Sequence, residues 1–276
     1  MPVFDLHCHS TASDGVLPPE LLVARAHEQG VDVLALTDHD ETSGLAAAAE
    51  RARELGIELV NGVEISITWG GQTVHIVGLR VDTRHPGLLG GLAANRQGRA
   101  DRALLMAEAL AGAGIDGALE GAYRFASNKG LIGRTHFARF LVEEGHVKDV
   151  KTVFKKYLVK GKPGFVHHEW ASLQQAVEWI HAAGGLAVLA HPGRYSMGKE
   201  KLRLLMAEFR DLGGEAIEVA TGSHTPDQVP LFAAYAREYG LLASVGSDFH
   251  APGEGGRELG RRLELPADCR PVWHNW

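Results

Sequence analysis

The stretch VFDLHCHSTASDG at residues 3–15 begins as an apolar strand and ends in a polar loop with two histidines and an aspartate. Side chains two residues apart lie on the same face of a strand, so His7 and His9 point the same way and can bind one cation. Cys8 points to the other face and is predicted to pack in the core. Alone, the histidine pair is equally compatible with a structural role.

The same arrangement, an apolar strand with polar residues at or near its end, recurs along the chain. It is seen in LALTDHD (34–40), IELVNGVEI (57–65), TVHIVGL (73–79), LAVLAHPGR (186–194) and LLASVGSDFH (241–250). The chemically active residues of these stretches are Asp38, His39, Asp40, Glu64, His75, His191, Asp248 and His250. In a parallel β/α barrel all strand carboxyl ends meet at one face, so we expect these side chains to converge.

Strands alternate with helical stretches in the first and last parts of the chain. We predict strands at 3–7, 33–37, 57–65, 73–79, 186–192, 215–221 and 241–250. We predict helices at 18–29, 42–55, 93–113, 173–183, 199–212 and 228–239. Apolar strands covered by helices are typical of a parallel α/β barrel or a doubly wound sheet. The sequence therefore predicts an α/β body of residues 1–97 and 165–276, interrupted by a helical insertion at 98–164.

Composition excludes several classes of protein. The 276 residues are 45% hydrophobic and 22% charged, which is typical of a globular chain with a sizeable core. No apolar stretch is long enough to span a bilayer, so we expect no membrane association. No secretory signal is visible, and two cysteines provide no disulfide framework. We therefore expect a cytoplasmic protein whose 15 histidines need an explanation.

Charge is distributed unevenly along the chain. The net charge is −6, which disfavours binding of long DNA. The segment 124–162 nevertheless carries a net charge of +7, from Arg124, Lys129, Arg134, Arg139, Lys148, Lys151, Lys155, Lys156, Lys160 and Lys162 against three acidic residues. This basic block predicts that the insertion attracts a compact anion and acts as a cap over the substrate. A solvated helical face is the alternative interpretation.

Several of the strand-end residues are ambiguous when each is taken alone. His75 in an apolar strand is more typical of a satisfied core histidine, and Asp14 before a glycine is typical of a turn. Their joint placement favours a metal site instead. Imidazole and carboxylate ligands without thiolate suit Mn²⁺, Fe²⁺ or Zn²⁺.

The motifs HCHSTASDG, TDHD, HPGR and SDFH, with the spacing of Glu64 and His75, resemble the PHP (polymerase and histidinol phosphatase) superfamily. The resemblance implies a distorted seven-stranded (β/α) barrel with three divalent metal ions, which we expect to be Mn²⁺, with Fe²⁺ or Zn²⁺ as alternatives. It implies one metal held by His7, His9, Glu64 and Asp248, a second held by Glu64, His75 and His191, and a third held by Asp14, His39 and His250.

The insertion, HPGRY and GRTHFARFL (133–141) are similar to the branch of 3′,5′-nucleoside bisphosphate phosphatases, whose relatives include 5′-to-3′ exonucleases on short RNA. The resemblance implies removal of the 3′-phosphate to leave a 5′-monophosphate, by attack of a metal-bridging hydroxide on phosphorus. The alternatives are an exonuclease on short RNA, a histidinol-phosphate-type phosphatase and a non-catalytic PHP module. We expect the partner to be a small anionic nucleotide, with no obligate protein partner.

Catalytic and substrate-binding roles are expected at further positions. We assign Asp38, His191 and Asp248 to the catalytic group, with Asp38 either orienting a ligand imidazole or making a hydrogen bond at the strand end. Guanidinium groups bind phosphate in a planar, bidentate manner, which favours Arg134 and Arg194 as substrate contacts. The remaining candidates for substrate binding are Lys160, His136 and His224. Solvated surface charge is the alternative for the basic residues.

Overall fold

The barrel is formed by seven strands that follow one another in chain order around the sheet. The computed structural model describes residues 2–261 and 263–276. Within that part of the chain the strands are β1 (Phe4–Cys8), β2 (Val33–Leu36), β3 (Glu58–Trp69), β4 (Gln72–Leu79), β5 (Leu186–Leu189), β6 (Ala216–Thr221) and β7 (Leu242–Gly246). Their order confirms the seven-stranded α/β barrel.

The two edges of the sheet meet beyond the end of β7. The amide of His9 donates to the carbonyl of Phe249 at 2.9 Å, and the amide of Asp248 donates to the carbonyl of His7 at 2.8 Å. The buried carboxylate of Asp5 in β1 accepts from the amides of Ser247 at 2.8 Å and Gly260 at 2.9 Å. These bonds leave β1 and the end of β7 little exposed edge.

One strand runs against the others, which corrects the expectation of a wholly parallel sheet. β4 pairs antiparallel with both β3 and β5, while the other neighbouring pairs are parallel. A two-residue turn at Gly70 and Gly71, both with positive φ, joins β3 to β4, as a tight hairpin requires. The start of β4, with His75, therefore lies at the same end of the barrel as the carboxyl ends of the parallel strands.

Nine α-helices in the described residues cover and extend the barrel. They are α1 (Pro19–Glu28), α2 (Leu45–Leu55), α3 (Pro86–Ala111), α4 (Ala118–Arg124), α5 (Arg134–Glu143), α6 (Val150–Val153), α7 (Leu173–Ala182), α8 (Lys199–Asp211) and α9 (Gln228–Tyr239). Helix α3 begins seven residues before the predicted start. Pro86 occupies its first turn, and the ring of His85 accepts from the amide of Leu88, so the helix is capped at that point.

The helical insertion has an apolar core of its own. Leu88 and Leu92, at the start of α3, pack with the barrel, whereas Met106 and Leu110, near its end, pack with Phe137 and the other apolar residues of the insertion. The boundary proposed at residue 98 thus falls inside one continuous helix. The described helices include none with both the length and the apolar composition needed to cross a membrane.

Barrel closure by Asp5 gives a testable prediction. Replacing Asp5 with Ala leaves the amides of Ser247 and Gly260 without their acceptor in a buried position, so we expect a loss of about 2–4 kcal/mol in the free energy of unfolding. Urea denaturation followed by circular dichroism measures this loss. Asp32→Ala is the matched control, because that carboxylate accepts from the amide of Val3 in an exposed position. Equal stabilities of the two variants would contradict the closing role of Asp5.

Candidate metal centre

The structure brings all nine predicted ligands together at one end of the barrel. They come from β1 and its following loop, from the ends of β2, β5 and β7, and from β3 and β4: His7, His9, Asp14, His39, Glu64, His75, His191, Asp248 and His250. Six of these residues are buried, while His39, His75 and His250 are partly exposed. Residues separated by more than 240 positions in the chain thus share one centre because neighbouring strands end at the same level.

The carboxylate of Glu64 lies at the middle of the cluster. Five imidazole nitrogens lie within 2.9–3.3 Å of its two oxygens. Nδ1 of His75 and Nε2 of His191 contact Oε1, and Nδ1 of His39 with Nε2 of His7 and His9 contact Oε2. A carboxylate with both oxygens in use is suited to bridging two cations.

The donor atoms around His7 and His9 have the spacing of a metal site. The two Nε2 atoms are 3.1 Å apart, and each lies 3.3 Å from Oε2 of Glu64. Oδ1 of Asp248 is 3.8 Å from Nε2 of His7 and 3.5 Å from Nε2 of His9. Four ligands about 2.0–2.2 Å from a tetrahedral cation would be about 3.3–3.6 Å apart. This Oδ1 is buried without a hydrogen-bond partner among the described residues, so the donor set fits a cation.

A neighbouring cluster contains Asp14. Its Oδ1 lies 3.3 Å from Nε2 of His250 and 4.0 Å from Nε2 of His39, and it too is buried without a hydrogen-bond partner in the described chain. His9 lies close enough to contribute a further donor. The three residues that the resemblance assigns to one metal therefore form one of the potential cation sites.

The titratable groups of the centre fall into two sets. Although burial opposes their charge, neighbouring carboxylates raise the pKa of His7 well above its ordinary value and that of His9 to about 9, so a metal must displace a proton from these two rings. Glu64, His39 and His191 are already in the forms that bind metal. Burial disfavours the charge of Glu64, yet the imidazoles of His75 and His39 hold the pKa of its carboxyl well below its ordinary value. Burial lowers the pKa of His39 to about 4 and lowers that of His191 strongly as well. At neutral pH these two imidazoles are uncharged, and each has a nitrogen lone pair for a metal.

Two ligands lie where the backbone adopts positive φ angles. His191 has a φ of 27° and Asp248 a φ of 52°, values that non-glycine residues seldom adopt. Both follow directly on a parallel strand, where the chain must turn away from the barrel. Such strained conformations concentrate at functional sites, where the surrounding structure maintains them.

Glu218 is an important residue of the centre that sequence analysis missed. It is buried in β6, where Oε1 contacts Nδ1 of His7 at 2.6 Å and Oε2 accepts from the amide of His191 at 2.6 Å. The bond to Nδ1 directs Nε2 of His7 toward the metal cluster, a common role for a carboxylate beside a ligand histidine. The signal in the sequence was the acid inside the apolar strand EAIEVAT, because a buried charge requires a partner.

Asp38 has a different position from the one expected for an imidazole-orienting group. Its oxygens accept from the amide and hydroxyl of Ser10 at 2.8 and 2.6 Å and from the hydroxyl of Ser13 at 2.5 Å. The carboxylate therefore fixes the loop after β1, as the alternative interpretation held. The orienting function belongs to Glu218 instead, because β6 passes directly beside His7.

A cleft extends from the metal cluster over the barrel end. Its inner recess is lined by Asp14, His39, His75 and His250, and the outer part has a volume of about 640 Å³. Arg134 and Arg194 line both parts, and Lys160 lines the outer part. Arg99 and Arg102, which α3 directs into the recess, were not among the predicted site residues. They lie in an alanine-rich helix just before the basic block, so their clustering with Arg134 is visible only in three dimensions.

The two remaining substrate candidates lie beneath the surface of the site. His136 is fully buried and its Nδ1 accepts from the amide of Gly133 at the start of α5. The ring of His224 lies between backbone groups, with Nδ1 3.0 Å from the carbonyl of Val219 and Nε2 accepting from the amide of Gly193. Neither residue lines the cleft. Both support segments that carry arginines of the site.

Most residues of the basic block are exposed, as the alternative interpretation of a solvated helical face predicts, and few of them line the cleft. Of its ten residues, all within the described part of the chain, Arg134 and Lys160 line the cleft and Arg139 is mostly buried. The other seven are exposed. Arg124, for example, pairs with Glu143 at 2.6 Å and Glu144 at 2.9 Å. The positive charge of the cleft comes mainly from four arginines of three different segments, namely α3, the start of α5 and the loop after β5.

The chain resembles known proteins over nearly its whole length. A model of the PHP domain matches residues 5–221. A 3′,5′-nucleoside bisphosphate phosphatase from Chromobacterium violaceum is 54% identical over 273 residues, covering 99% of this chain and 96% of the relative. The 5′-3′ exoribonuclease Rnm of Escherichia coli is 49% identical over 276 residues, covering 99% of this chain and 94% of the relative. The similarity thus includes both the barrel and the insertion.

Two solved structures share the architecture. One is an amidohydrolase from Chromobacterium violaceum, solved with bound sulfate and no metal. It has a TM-score of 0.95 at 53% identity, and the match covers 98% of this chain and 94% of the amidohydrolase chain. A protein from Bifidobacterium adolescentis, described as a metal-dependent phosphoesterase, has a TM-score of 0.84 at 27% identity, with coverages of 96% and 93%. The complete fold is therefore shared.

The position of Glu218 generates a prediction about metal binding. In the unchanged protein one oxygen of Glu218 serves the ring of His7 and the other serves the amide of His191. Glu218→Gln keeps only one acceptor oxygen for these two donors, so we expect about 10–100-fold weaker metal binding. Titration of the metal-free protein with Mn²⁺, followed calorimetrically, measures the affinity. Glu215→Gln is the control, because Glu215 makes the same kind of bridge, from His181 to the amide of Ala187, outside the site. Unchanged affinity in Glu218→Gln would show that His7 needs no such support.

Proposed function

The chain belongs to the PHP domain family, and on that basis we propose that it is a metal-dependent phosphoesterase that acts on a small nucleotide. The proposed substrate is a 3′,5′-nucleoside bisphosphate, from which the 3′-phosphate is released to leave the 5′-monophosphate. The 54% identity to a bisphosphate phosphatase along 99% of the chain supports this activity. A hydrolase that cleaves phosphoric ester bonds is consistent with the donor set at the barrel end.

The observation that carries the proposal is a pair of guanidinium groups beside the metal centre, of which that of Arg102 is buried and that of Arg134 is partly exposed in the cleft. The guanidinium of Arg134 lies over the ring of Phe154 but makes no hydrogen bond or ion pair within residues 2–261 and 263–276. That of Arg102 lies over the ring of Trp170 and donates only from Nε to the carbonyl of Val166. Burial, with the nearby charges of other arginines, lowers the pKa of Arg102 to about 9 and that of Arg134 to about 10. Both stay charged at neutral pH. Largely desolvated guanidinium groups that pair with no carboxylate and face a cleft favour an anionic ligand.

The cleft has an inner and an outer part, which would bind different parts of the proposed substrate. A phosphate bound in the recess would lie beside Asp14, His39 and His75, and the outer cleft of about 640 Å³ is in the range that binds small molecules. Arg102 and Arg134 line both parts. A phosphate on the far side of the ribose would lie within the reach of these guanidiniums.

Protein groups fix the geometry in which the phosphate would react. When divalent metals are bound, they lower the pKa of a coordinated water and neutralise the charge of phosphoryl oxygens. Oδ2 of Asp248 accepts from Arg194 at 2.6 Å and from Arg257 at 2.8 Å, which leaves Oδ1 directed toward His7 and His9. Arg194 is thereby fixed at the edge of the cleft, where its remaining N–H groups can bind a phosphate oxygen.

We further propose that the centre holds three divalent ions, with Mn²⁺ favoured over Fe²⁺ or Zn²⁺. Nine ligands, with Glu64 shared between two of the sites, are sufficient for three sites with open positions for substrate. Four overlapping groups of donors lie within bonding range of a common ion. The set contains only imidazole and carboxylate donors, which matches these metals.

Cleavage of short RNA from its 5′ end is the second candidate. The 49% identity to an exoribonuclease favours it, and so does the length of the outer cleft, which continues past Lys160 to Lys201 at the Gly70–Gly71 turn. A cleft of this kind can accept further nucleotides beyond the one at the metals. Small nucleotides and short RNA are thus the proposed partners, and the cytoplasm, favoured by the two cysteines, is the proposed location.

Phosphate release from a panel of substrates tests the activity. We expect Mn²⁺-dependent release from 3′,5′-bisphosphates, weaker release from 5′-monophosphates and histidinol phosphate, and complete loss on treatment with EDTA that added Mn²⁺ reverses. Oligoribonucleotides in the same assay measure the second activity. Hydrolysis of histidinol phosphate alone would overturn the nucleotide assignment, and no release from any compound would overturn catalysis.

The unpartnered guanidinium of Arg134 predicts selectivity for a second phosphate. A charge-assisted hydrogen bond contributes about 1.5–3 kcal/mol, so Arg134→Gln should lower kcat/KM for the bisphosphate by about 10–150-fold. Release from a 5′-monophosphate should fall much less. Arg124→Gln is the control, since that arginine pairs with Glu143 and Glu144 on the surface. An equal loss on both substrates would show that Arg134 contacts the scissile phosphate instead.

A further inference from the structure

The loop that carries Asp14 is tightly folded and joins the segment after β7 through a bond from the amide of Val16 to the carbonyl of His250 at 2.9 Å. Within the loop, the amides of Ser13 and Gly15 donate to the carbonyl of Ser10 at 3.1 and 2.9 Å. The side chain of Asp38 holds Ser10 and Ser13 from below. A Cβ on Gly15 would lie only 2.2 Å from the carbonyl oxygen of His9, so the chain passes directly against β1.

The outer side of this loop is held by the helical insertion. Nδ2 of Asn128 donates to the carbonyl of Ala12 at 3.0 Å, and Nη1 of Arg139 in α5 donates to the carbonyl of Asp14 at 2.7 Å. These bonds join residues 116 and 125 positions apart in the chain. The insertion therefore contacts the backbone of a candidate metal ligand.

Arg139 also reaches the loop that follows His250. Its Nη2 donates to Glu254 at 3.2 Å, and its side chain is only 10% exposed. One guanidinium thus connects the Asp14 loop with the chain segment after β7. Asp14 and His250 are two of the three residues assigned to one metal, and Nε2 of His250 lies 3.3 Å from Oδ1 of Asp14.

We propose that Arg139 is a positioning residue for the metal bound by Asp14, His39 and His250, so that the insertion completes the metal centre as well as covering it. The inference rests on the metal-binding part of the proposed function and is independent of the substrate. Arg139 contacts the backbone carbonyl of Asp14, so it fixes the location of the carboxylate without neutralising it. Metal ligands must be held to within a few tenths of an ångström, which makes binding sensitive to this support.

Metal stoichiometry of an Arg139→Gln variant tests the inference. The metal-free protein is titrated with Mn²⁺, with bound and free ion separated by equilibrium dialysis and measured by mass spectrometry. We expect one class of sites to weaken by about 10–100-fold, so that at limiting Mn²⁺ the variant retains about one equivalent less than the unchanged protein. The sites at His7, His9 and Glu64 should retain their affinity. Arg139→Lys, which keeps a charged donor to the Asp14 carbonyl, should recover part of the loss.

One control variant and one further test variant separate positioning from general damage to the insertion. Arg124→Gln removes an arginine that pairs with Glu143 of α5 but does not contact the Asp14 loop, and it should bind Mn²⁺ normally. Asn128→Ala removes the second bond to the loop and should weaken the same class of sites. If Arg139→Gln fails to fold, Asn128→Ala and Glu254→Gln provide the same test.

Equal stoichiometry and affinity in the variants and the unchanged protein would overturn the inference. A uniform weakening of every site, without recovery in Arg139→Lys, would overturn it as well, since a purely structural role produces that result. The titration contains no nucleotide, so its outcome does not depend on which phosphoester the protein hydrolyses. A failed substrate panel combined with selective metal loss would leave the role of Arg139 established.

Discussion

The buried carboxylate of Glu64, with imidazole nitrogens on both oxygens, is the constraint on which the site depends. Removing a carboxylate and so many polar rings from water is costly unless charge and hydrogen bonds compensate. Asp14 and Asp248 add two more buried carboxylates, each with an oxygen that lacks a hydrogen-bond partner in the described chain. Bound cations satisfy these groups together, so the metals would stabilise the fold at the barrel end as well as take part in catalysis.

The reversed direction of β4 makes this concentration of ligands possible. A parallel strand can contribute ligands only where it ends, but the hairpin from β3 to β4 brings the interior of two long strands to the same level. Glu64 and His75 therefore reach the centre from within strands. The distortion of the barrel thus increases the number of side chains that can meet at one point.

The insertion contributes to the site through a few bonds. Arg134 at the start of α5 faces the cleft, whereas Arg139, about one and a half turns later, holds the Asp14 loop. One helix therefore contacts both the proposed substrate region and a metal-ligand loop. Arg99 is fixed in a similar way, since its guanidinium donates to Asp40 at 2.6 Å and to the hydroxyl of Ser66 at 2.6 Å. Such preorganised cations lose little conformational entropy when an anion binds.

The residues by themselves predicted an α/β body whose polar strand ends converge, because periodicity and strand-end polarity are local properties of the chain. The choice of a barrel over a doubly wound sheet, and the full set of nine metal-site positions, came from the resemblance to the PHP superfamily. The sequence did not determine the direction of β4, the role of Glu218 or the origin of the cleft's positive charge. A count along the chain assigned that charge to residues 124–162, yet Arg99, Arg102 and Arg194 lie outside that segment. Asp38 and His224 likewise have partners that lie on other segments. Only the tertiary structure decides such pairings, because charge and hydrogen bonding depend on distance in space and not on separation along the chain.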